Sequence, residues 1–454
     1  MRVGFPANSA MKSKPAPTPQ AQFLMPDLPT MLDARQPLYR LAQTIDWAQF
    51  ETAFGTHYSA AGRPALPIRR MVGLLLLKQL HNLSDERVVE QWTLNPYFQF
   101  FCGEREFQWS APCAASELVH FRHRIGPDGG EKLLAVSIAL HGAKAKEQEV
   151  VLDTTAQEKA ITFPTDAKLH AKIVRTAHRI ARKSGLTLRQ SYTRTVPKLL
   201  QAQRGWRHPR TRKSARKAAR KLKTIAGRLV RELDRKLPDG HLYGHLLALC
   251  RRILIQKRHD KDKIYSLHEP HVYCLAKGKA HKEYEFGAKA ALVVGKTHGV
   301  ILGALSLEKN TYDGHTVEPA LLQVERVAGY RPDKGIADRG YRGRRHFGTT
   351  ELLLPGVPAA DATAYTKRKA RARFRRRAAI EPRIGHLKSD FRLGRNFLKG
   401  VNGDAINLLL AATAANLRLW LRAASVCLHA ILASFLAASR FVLFPRALPS
   451  KAVF

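Results

Sequence analysis

The sequence predicts an α/β protein in which a mixed sheet is flanked by helices, with a helical N-terminal domain in front of it and a basic helical insertion inside it. Three observations predict this class. Residues 38–135 show helical periodicity, residues 150–155 and 284–307 contain short apolar runs typical of buried strands, and residues 168–258 combine helical spacing with many cations. The length of 454 residues allows about three domains.

The first 145 residues are interpreted as a tail followed by a helical domain. Residues 1–29 contain six prolines and no continuous apolar stretch, so we expect a flexible tail and no signal peptide. In residues 30–145, helices are expected at 67–80, after an N-cap at Ser84, and from about Ser116. Their spacing resembles a helix-turn-helix, and the third helix would place its basic residues Arg122, His123 and Arg124 against phosphates. A packing or dimerisation module explains the same pattern equally well.

The strand at 150–155 opens a second region, residues 146–422. Its β-branched apolar run ends in an acid, which predicts that Asp153 lies at or near the end of a buried strand. Residues 168–258 then contain 27 lysines and arginines against three acids. Helical spacing of the alanines, leucines and isoleucines predicts a basic helical insertion over about 168–262.

Strand patterns return after the insertion. Two apolar runs, 284–295 and 299–307, predict a hairpin, and a helix is expected at about 316–328. A short strand then leads into Asp338, another strand occupies 351–354, and a basic helical stretch contains Glu381. The predicted order is therefore β, insertion, β, β, α, β, β, α.

Composition points to a polyanionic partner. There are 77 lysines and arginines against 36 acids, a formal net charge of +41, and 45% of the residues are hydrophobic, so a folded body carries the charge. Five scattered cysteines exclude a disulfide framework and predict a reducing cytoplasm. The apolar tail at 423–454 favours a buried or interface helix over a membrane span, and a tail anchor stays open.

Three carboxylates stand out because their surroundings are basic or apolar: Asp153, Asp338 and Glu381. Side chains at the carboxyl ends of strands converge at one sheet edge, and three convergent carboxylates can hold two Mg²⁺ ions for phosphoryl transfer. Each acid taken alone also has a structural explanation: a turn cap for Asp153, and ion pairs with nearby arginines for the other two.

Several ordered motifs together resemble a known family. They are Asp153-Thr-Thr-Ala-Gln-Glu-Lys with Phe163-Pro-Thr-Asp-Ala-Lys168, His281-Lys-Glu-Tyr-Glu-Phe-Gly287, Ala337-Asp338-Arg339-Gly340-Tyr341-Arg342-Gly343, and Ile380-Glu381-Pro-Arg-Ile-Gly-His-Leu-Lys388. The chain thereby resembles bacterial insertion-sequence transposases of the insertion-sequence-five type over about residues 38–421. Those proteins are DDE enzymes with an RNase H-like core.

The resemblance implies that Asp153, Asp338 and Glu381 form the catalytic and metal-binding triad. Phe374, Arg377, Glu381 and Lys388 match the family's Y-x2-R-x3-E-x6-K signature, except that Phe374 replaces tyrosine and lacks its hydroxyl. The spacing puts these four on one helical face, although Pro382 favours a kink or a new helix start.

The basic residues within the same motifs are the expected DNA contacts. Lys388 is expected to hold a phosphate beside the scissile bond, and Arg377 to contact DNA or orient the glutamate. Arg339, Arg342 and Lys168 are expected to bind DNA as well. Solvated helix cations remain the alternative for Arg377 and Lys388.

Other candidate sites carry less chemistry. His268-Glu269-Pro270-His271 contains metal-capable groups, but its proline breaks any shared face, so we do not expect zinc. Asp313-Gly314-His315 is interpreted as a turn that could lie near the active edge. No phosphate-binding loop or nucleophile elbow is present, so no nucleotide is expected.

The resemblance predicts a transposase that binds terminal inverted repeats and target DNA as double strands, synapses two ends as a homo-oligomer, and uses Mg²⁺, with Mn²⁺ as a substitute. A nucleoid-associated cytoplasmic enzyme without a membrane partner is expected. Two rivals stay open: a hydrolytic nuclease on the same core, and an inactive or domesticated DNA-binding protein derived from a transposase.

Overall fold

The computed structural model describes residues 27–58, 64–257, 259–279, 282–356 and 361–443. Most of the predicted N-terminal tail lies outside these ranges. Its last part is corrected, because Leu28 begins a short helix and is fully buried.

In the described part of the chain, seven α-helices precede the first strand. α4 is buried along nearly its whole length, and the Ser84 hydroxyl caps α5 by accepting from the amide of Arg87, as predicted. α7 contains a break at Gly126, which has a φ of 60° and is followed by Pro127. The helices are α1 (Leu28–Met31), α2 (Pro37–Thr44), α3 (Ala48–Gly55), α4 (Ile68–Leu80), α5 (Asp85–Leu94), α6 (Pro96–Phe101) and α7 (Ala115–Ala139).

A seven-stranded mixed sheet forms the centre of the protein. β3 is central: β1 pairs antiparallel along one side, while β2 and β4 share the other side. β1, β5 and β7 run parallel, and β6 pairs with β7 at the edge. The strands are β1 (Glu149–Glu158), β2 (Tyr273–Lys279), β3 (Lys282–Gly295), β4 (Ile301–Leu307), β5 (Lys334–Ile336), β6 (His346–Phe347) and β7 (Thr350–Leu353).

Helices from both halves of the chain pack on this sheet. α12 (Val317–Ala328) packs against β4, and α15 (Gly400–Leu443) packs against β4, α4 and α7. One continuous apolar core therefore includes the N-terminal helices, the sheet and α15. Asn416 of α15 joins the two, because its amide group binds both backbone groups of Ile301 on β4.

The basic segment after β1 forms a helical unit with its own apolar core. Its helices are α8 (Asp166–Lys183), α9 (Thr195–Arg204), α10 (Arg212–Lys236) and α11 (Gly244–Ile255). Apolar side chains line one face of α8 and α10, and most cations lie on the exposed faces.

A buried ion-pair network joins the end of β1 to the exit of this unit. The Lys159 ammonium lies 2.6 Å from the Asp404 carboxylate and 3.4 Å from the Glu269 carboxylate. His271 lies 3.3 Å from Asp404, so Glu269 and His271 of the metal-capable motif contact Lys159 and Asp404. Such a network is costly to break, because removing one partner leaves a buried charge.

The end of α15 extends into the predicted apolar tail without a break at residue 423. The helix backbone continues to Leu443, and the side chains from residue 426 onward lie outside the description. Within the part of the chain that the structure describes, no helix is long and apolar enough to cross a membrane.

Candidate active site

Two of the three predicted carboxylates belong to neighbouring parallel strands: Asp153 lies within β1, and Asp338 lies just after β5. Val151 of β1 lies opposite Ile336 of β5, so continuing the register by two residues sets Asp153 opposite Asp338. Adjacent strands are about 4.8 Å apart, and residues in the same phase point to the same face. The two carboxylates therefore lie side by side.

The backbone holds both carboxylates. Asp153 accepts a hydrogen bond of 2.8 Å from the amide of Thr154, and Asp338 accepts one of 2.8 Å from the amide of Gly340. Asp338 thereby caps the short turn Arg339–Tyr341. One expectation needs correction: Asp153 lies in the middle of β1, because β3 pairs with β1 as far as Glu158.

A third carboxylate, Asp313, lies beside this pair. The Thr154 hydroxyl donates to Asp313 at 2.8 Å, and Lys289 forms an ion pair with it at 2.5 Å. A Cβ on Gly340 would lie 2.9 Å from an oxygen of Asp338 and 3.4 Å from one of Asp313. The sequence pattern predicts a turn at Asp313 that could lie near the active edge. Only the folded structure brings Asp313 next to Asp338.

The buried phenol of Tyr341 lies among these three acids. Burial raises the pKa of Tyr341 well above its usual value, and the negative charges of Asp153, Asp313 and Asp338 raise it further. The phenol therefore stays neutral beside these three negative charges. Carboxylate oxygens are the ligands that a hard divalent cation prefers.

Glu381 lies apart from the pair. Its side chain is 68% exposed, and its carboxylate lies 3.8 Å from the guanidinium of Arg377. It occupies the first turn of α14 (Ile380–Asp390), which packs against β1, and Ile380 shares a small cavity with Val151. In the described part of the chain, no three potential ligands come close enough together to hold one metal ion.

The four signature residues do not share one continuous helix, so that prediction is wrong. Phe374 and Arg377 belong to α13 (Ala364–Arg377), whereas Glu381 and Lys388 belong to α14. The physical reason is Pro382, which lies in the first turn of α14 and cannot donate a backbone hydrogen bond. The new helix start expected there is confirmed.

The predicted DNA contacts lie in three places. Arg339 and Arg342 are exposed on the turn after Asp338. Lys388 lies 3.8 Å from Glu285 of β3, and Arg377 is next to Glu381. Lys168, in the first turn of α8, donates to the carbonyl of Phe163 at 3.0 Å.

Two basic residues of the N-terminal helices, Lys78 and Arg122, are buried in an internal ion pair. Arg122 is only 4% exposed, and its guanidinium forms two hydrogen bonds of 2.7 Å to Asp85. The Lys78 ammonium lies 2.8 Å from the same carboxylate. The phosphate contact expected of Arg122 is therefore wrong, because this arginine is buried in an ion pair that joins α7 to α5.

The chain is similar to known transposase domains over two ranges. Residues 26–124 match the family model described as "Transposase domain (DUF772)", and residues 257–417 match the one described as "Transposase DDE domain". A protein of Rhizobium meliloti, described as "Uncharacterized protein ORF8 in nfe locus", is 47% identical over 188 residues, which are 40% of this chain and 91% of that protein. No solved structure matches the chain.

The DDE domain match implies an RNase H-like core, and the mixed sheet flanked by helices fits that fold class. The two family models together cover α1 to α6, the first part of α7, and the strands from β2 onward, whereas β1 lies outside both. The chain therefore belongs to the DDE transposases of insertion sequences.

Proposed function

We propose that this transposase, of the insertion-sequence-five type, binds the terminal inverted repeats of its element, cleaves the DNA at their ends and joins the freed 3′-hydroxyl to target DNA. The observation that supports the proposal is the register of β1 and β5: it ends at the pair Val151–Ile336, and its continuation by two residues sets Asp153 opposite Asp338. Two ends would be held in a synaptic complex by a homo-oligomer.

Asp153 and Asp338 fit a divalent cation, because each is a carboxylate already fixed by a backbone amide. We propose that they hold Mg²⁺, with Mn²⁺ as a substitute, and that Glu381 is the third ligand, as the family pattern implies. When bound, a pair of such ions activates the attacking oxygen and stabilises the leaving oxygen.

The remaining roles belong to the chain's own side chains. Arg339 and Arg342 are proposed to hold the phosphate next to the carboxylates, since both are exposed on the turn that Asp338 caps. Lys388 on α14, Arg377 at the end of α13 and Lys168 in the first turn of α8 are proposed to bind the DNA backbone. Bidentate or charge-assisted contacts of this kind position DNA without reading its sequence.

The test is cleavage and joining of a labelled duplex that carries the element's own end, with wild type, Asp153→Asn, Asp338→Asn and Glu381→Gln. Each substitution should lower cleavage by more than about a hundredfold, beyond the loss typical of an outer-shell partner, and leave duplex binding intact. Asp333→Asn, an exposed acid just before β5, is the matched control and should retain activity.

Two outcomes contradict the proposal. Cleavage without joining would identify a hydrolytic nuclease. Binding of the duplex by all proteins, with no cleavage by any of them, would identify a non-catalytic DNA-binding protein.

A further inference from the structure

A groove of about 740 Å³ opens where β1 ends and the basic helical unit begins. We call it the aromatic–basic groove and define it by the lining residues that matter for its chemistry: Phe163, Lys168, Arg207, Tyr284, Phe286 and Arg395. It lies between the catalytic sheet and the inserted helices, and none of the proposed catalytic carboxylates lines it.

Aromatic rings are concentrated at this groove. Phe163 is 60% exposed and Tyr284 is 43% exposed, although burial of such rings is normally favourable. Phe163 contacts the more buried Phe286 edge to face, with ring centroids 5.3 Å apart, which fixes its orientation. Two more exposed rings, Trp206 and Phe397, are sequence neighbours of the lining residues Arg207 and Arg395. Of the seven exposed aromatic side chains in the described part of the chain, two line this groove and two more lie within two residues of a lining arginine.

Cations accompany the rings. The Arg207 guanidinium lies 5.4 Å from the centre of the Trp206 ring, and that of Arg395 lies 5.8 Å from the centre of the Phe397 ring. Lys168 lines the same wall and is anchored to the carbonyl of Phe163. Positive groups interleaved with exposed rings are typical of surfaces that bind single-stranded nucleic acids, in which cations follow the phosphates and rings stack on bases.

The acids in the groove favour bases over a second phosphate. Glu158 and Glu283 also line it. Carboxylates repel phosphates and accept hydrogen bonds from the amino groups of cytosine and adenine. Phosphates are thus expected on the side of the arginines and bases on the side of the rings.

We propose that the aromatic–basic groove binds unpaired nucleotides of a DNA strand, by stacking bases on Phe163 and Tyr284 and holding phosphates with Lys168, Arg207 and Arg395. Duplex DNA does not satisfy these rings, because its base faces are already stacked on one another. The inference rests on the DNA-binding part of the proposed function and deepens it.

The groove lies within reach of DNA held at the carboxylates. Glu158, at its rim, is five residues beyond Asp153 on β1, or roughly 17 Å at 3.3 Å per residue. This distance equals about five base-pair steps of duplex DNA at 3.4 Å each. A strand separated a few steps from the scissile phosphate would therefore meet the groove.

The test compares two labelled probes of equal length, an oligothymidylate and a duplex, by fluorescence anisotropy with the full-length protein. Phe163→Ala and Tyr284→Ala should each weaken oligothymidylate binding by roughly 5- to 150-fold, the range measured for loss of one stacked base, and leave duplex binding unchanged. Phe163→Trp should keep the affinity. Trp109→Ala, which removes an exposed ring elsewhere, is the matched control and should change neither probe.

A second measurement tests the cations. Arg207→Gln and Arg395→Gln should each reduce the slope of log K against log salt for oligothymidylate by about 0.7, the value for one phosphate contact on a single strand. An unchanged slope would contradict the assignment of these arginines.

The outcomes separate this inference from the proposed function. If wild type binds the duplex and Phe163→Ala binds oligothymidylate as tightly as wild type, the groove proposal is overturned and the transposase proposal stands. If Phe163→Ala weakens both probes equally, the groove does not select unpaired bases. If wild type binds neither probe, the DNA binding of the proposed function itself is refuted.

Discussion

Replacing Asp338 with asparagine should stabilise the metal-free protein while removing its activity. Asp153 lies on β1 and Asp338 lies two residues beyond the end of β5, so the register of these two strands, about 4.8 Å apart, sets the carboxylates opposite each other. Two unit charges about 5 Å apart repel by about 3 kcal/mol at an effective dielectric constant of 20. Both side chains are only half-buried, so water screens part of this repulsion, and we expect a gain of ~1–2 kcal/mol in the free energy of unfolding.

The substitution changes little else. An asparagine oxygen can accept the 2.8 Å hydrogen bond from the amide of Gly340, so the cap of the turn is retained. Asp333→Asn, an exposed acid five residues earlier, is the control and should leave the free energy of unfolding unchanged.

The assay is urea unfolding followed by circular dichroism, once with a chelator and once with millimolar Mg²⁺. With the chelator, Asp338→Asn should unfold at higher urea than wild type. Mg²⁺ should raise the midpoint of wild type by mass action and raise that of the variant much less. The reasoning is refuted if the variant is less stable than wild type in chelator, or if Mg²⁺ raises both midpoints equally.

Three further substitutions test charged groups outside this pair. Asp85→Asn should lower the free energy of unfolding by about 3–5 kcal/mol, because it leaves two buried cations without their carboxylate, and duplex affinity in a gel shift should be unchanged. Burial lowers the pKa of His170 to about 4. The free energy of unfolding should therefore have its full value above about pH 6.5 and fall by about 3 kcal/mol as the pH drops to 4. Urea titrations of His170→Leu over this range should lack that fall. Asp313→Asn should keep cleavage activity, because Lys289 already neutralises this acid, whereas Glu381→Gln should lose it; the reverse result would make Asp313 the third ligand.

Local patterns were sufficient to predict much of the fold. Apolar runs on either side of a short turn predicted the hairpin that β3 and β4 form, and the cap at Ser84 predicted the start of α5. Both signals involve residues close together in the chain, so they can be recognised without knowledge of the tertiary structure. The resemblance to DDE transposases of insertion sequences likewise depended on short ordered motifs, and the matches to transposase domains confirm it at that level.

Tertiary partners explain what was missed. β2 has lysines in its second half, so its strand pattern is weak, and it forms because β3 offers an unpaired edge. Arg122 is a cation of the kind that contacts phosphates, but it is buried in an ion pair with Asp85, which is 37 residues away in the chain. Asp313 reaches Asp338 only through the packing of its turn against Gly340. None of these three contacts leaves a periodic signal in the chain.

The inserted helical unit also affects how the chain folds during synthesis. β1 is synthesised before its partner β3, which follows about 130 residues later. At 5–20 residues per second, β1 therefore remains on the order of ten seconds without its main neighbour. The helices in between have their own apolar core and can form from local contacts during that interval. A folded unit brings its two ends together, which shortens the loop that must close before β1 and β3 pair. Destabilising this helical unit should therefore slow formation of the central sheet. It should also lengthen the time for which an apolar strand is exposed to aggregation. None of the proposed triad carboxylates lies within the helical unit itself.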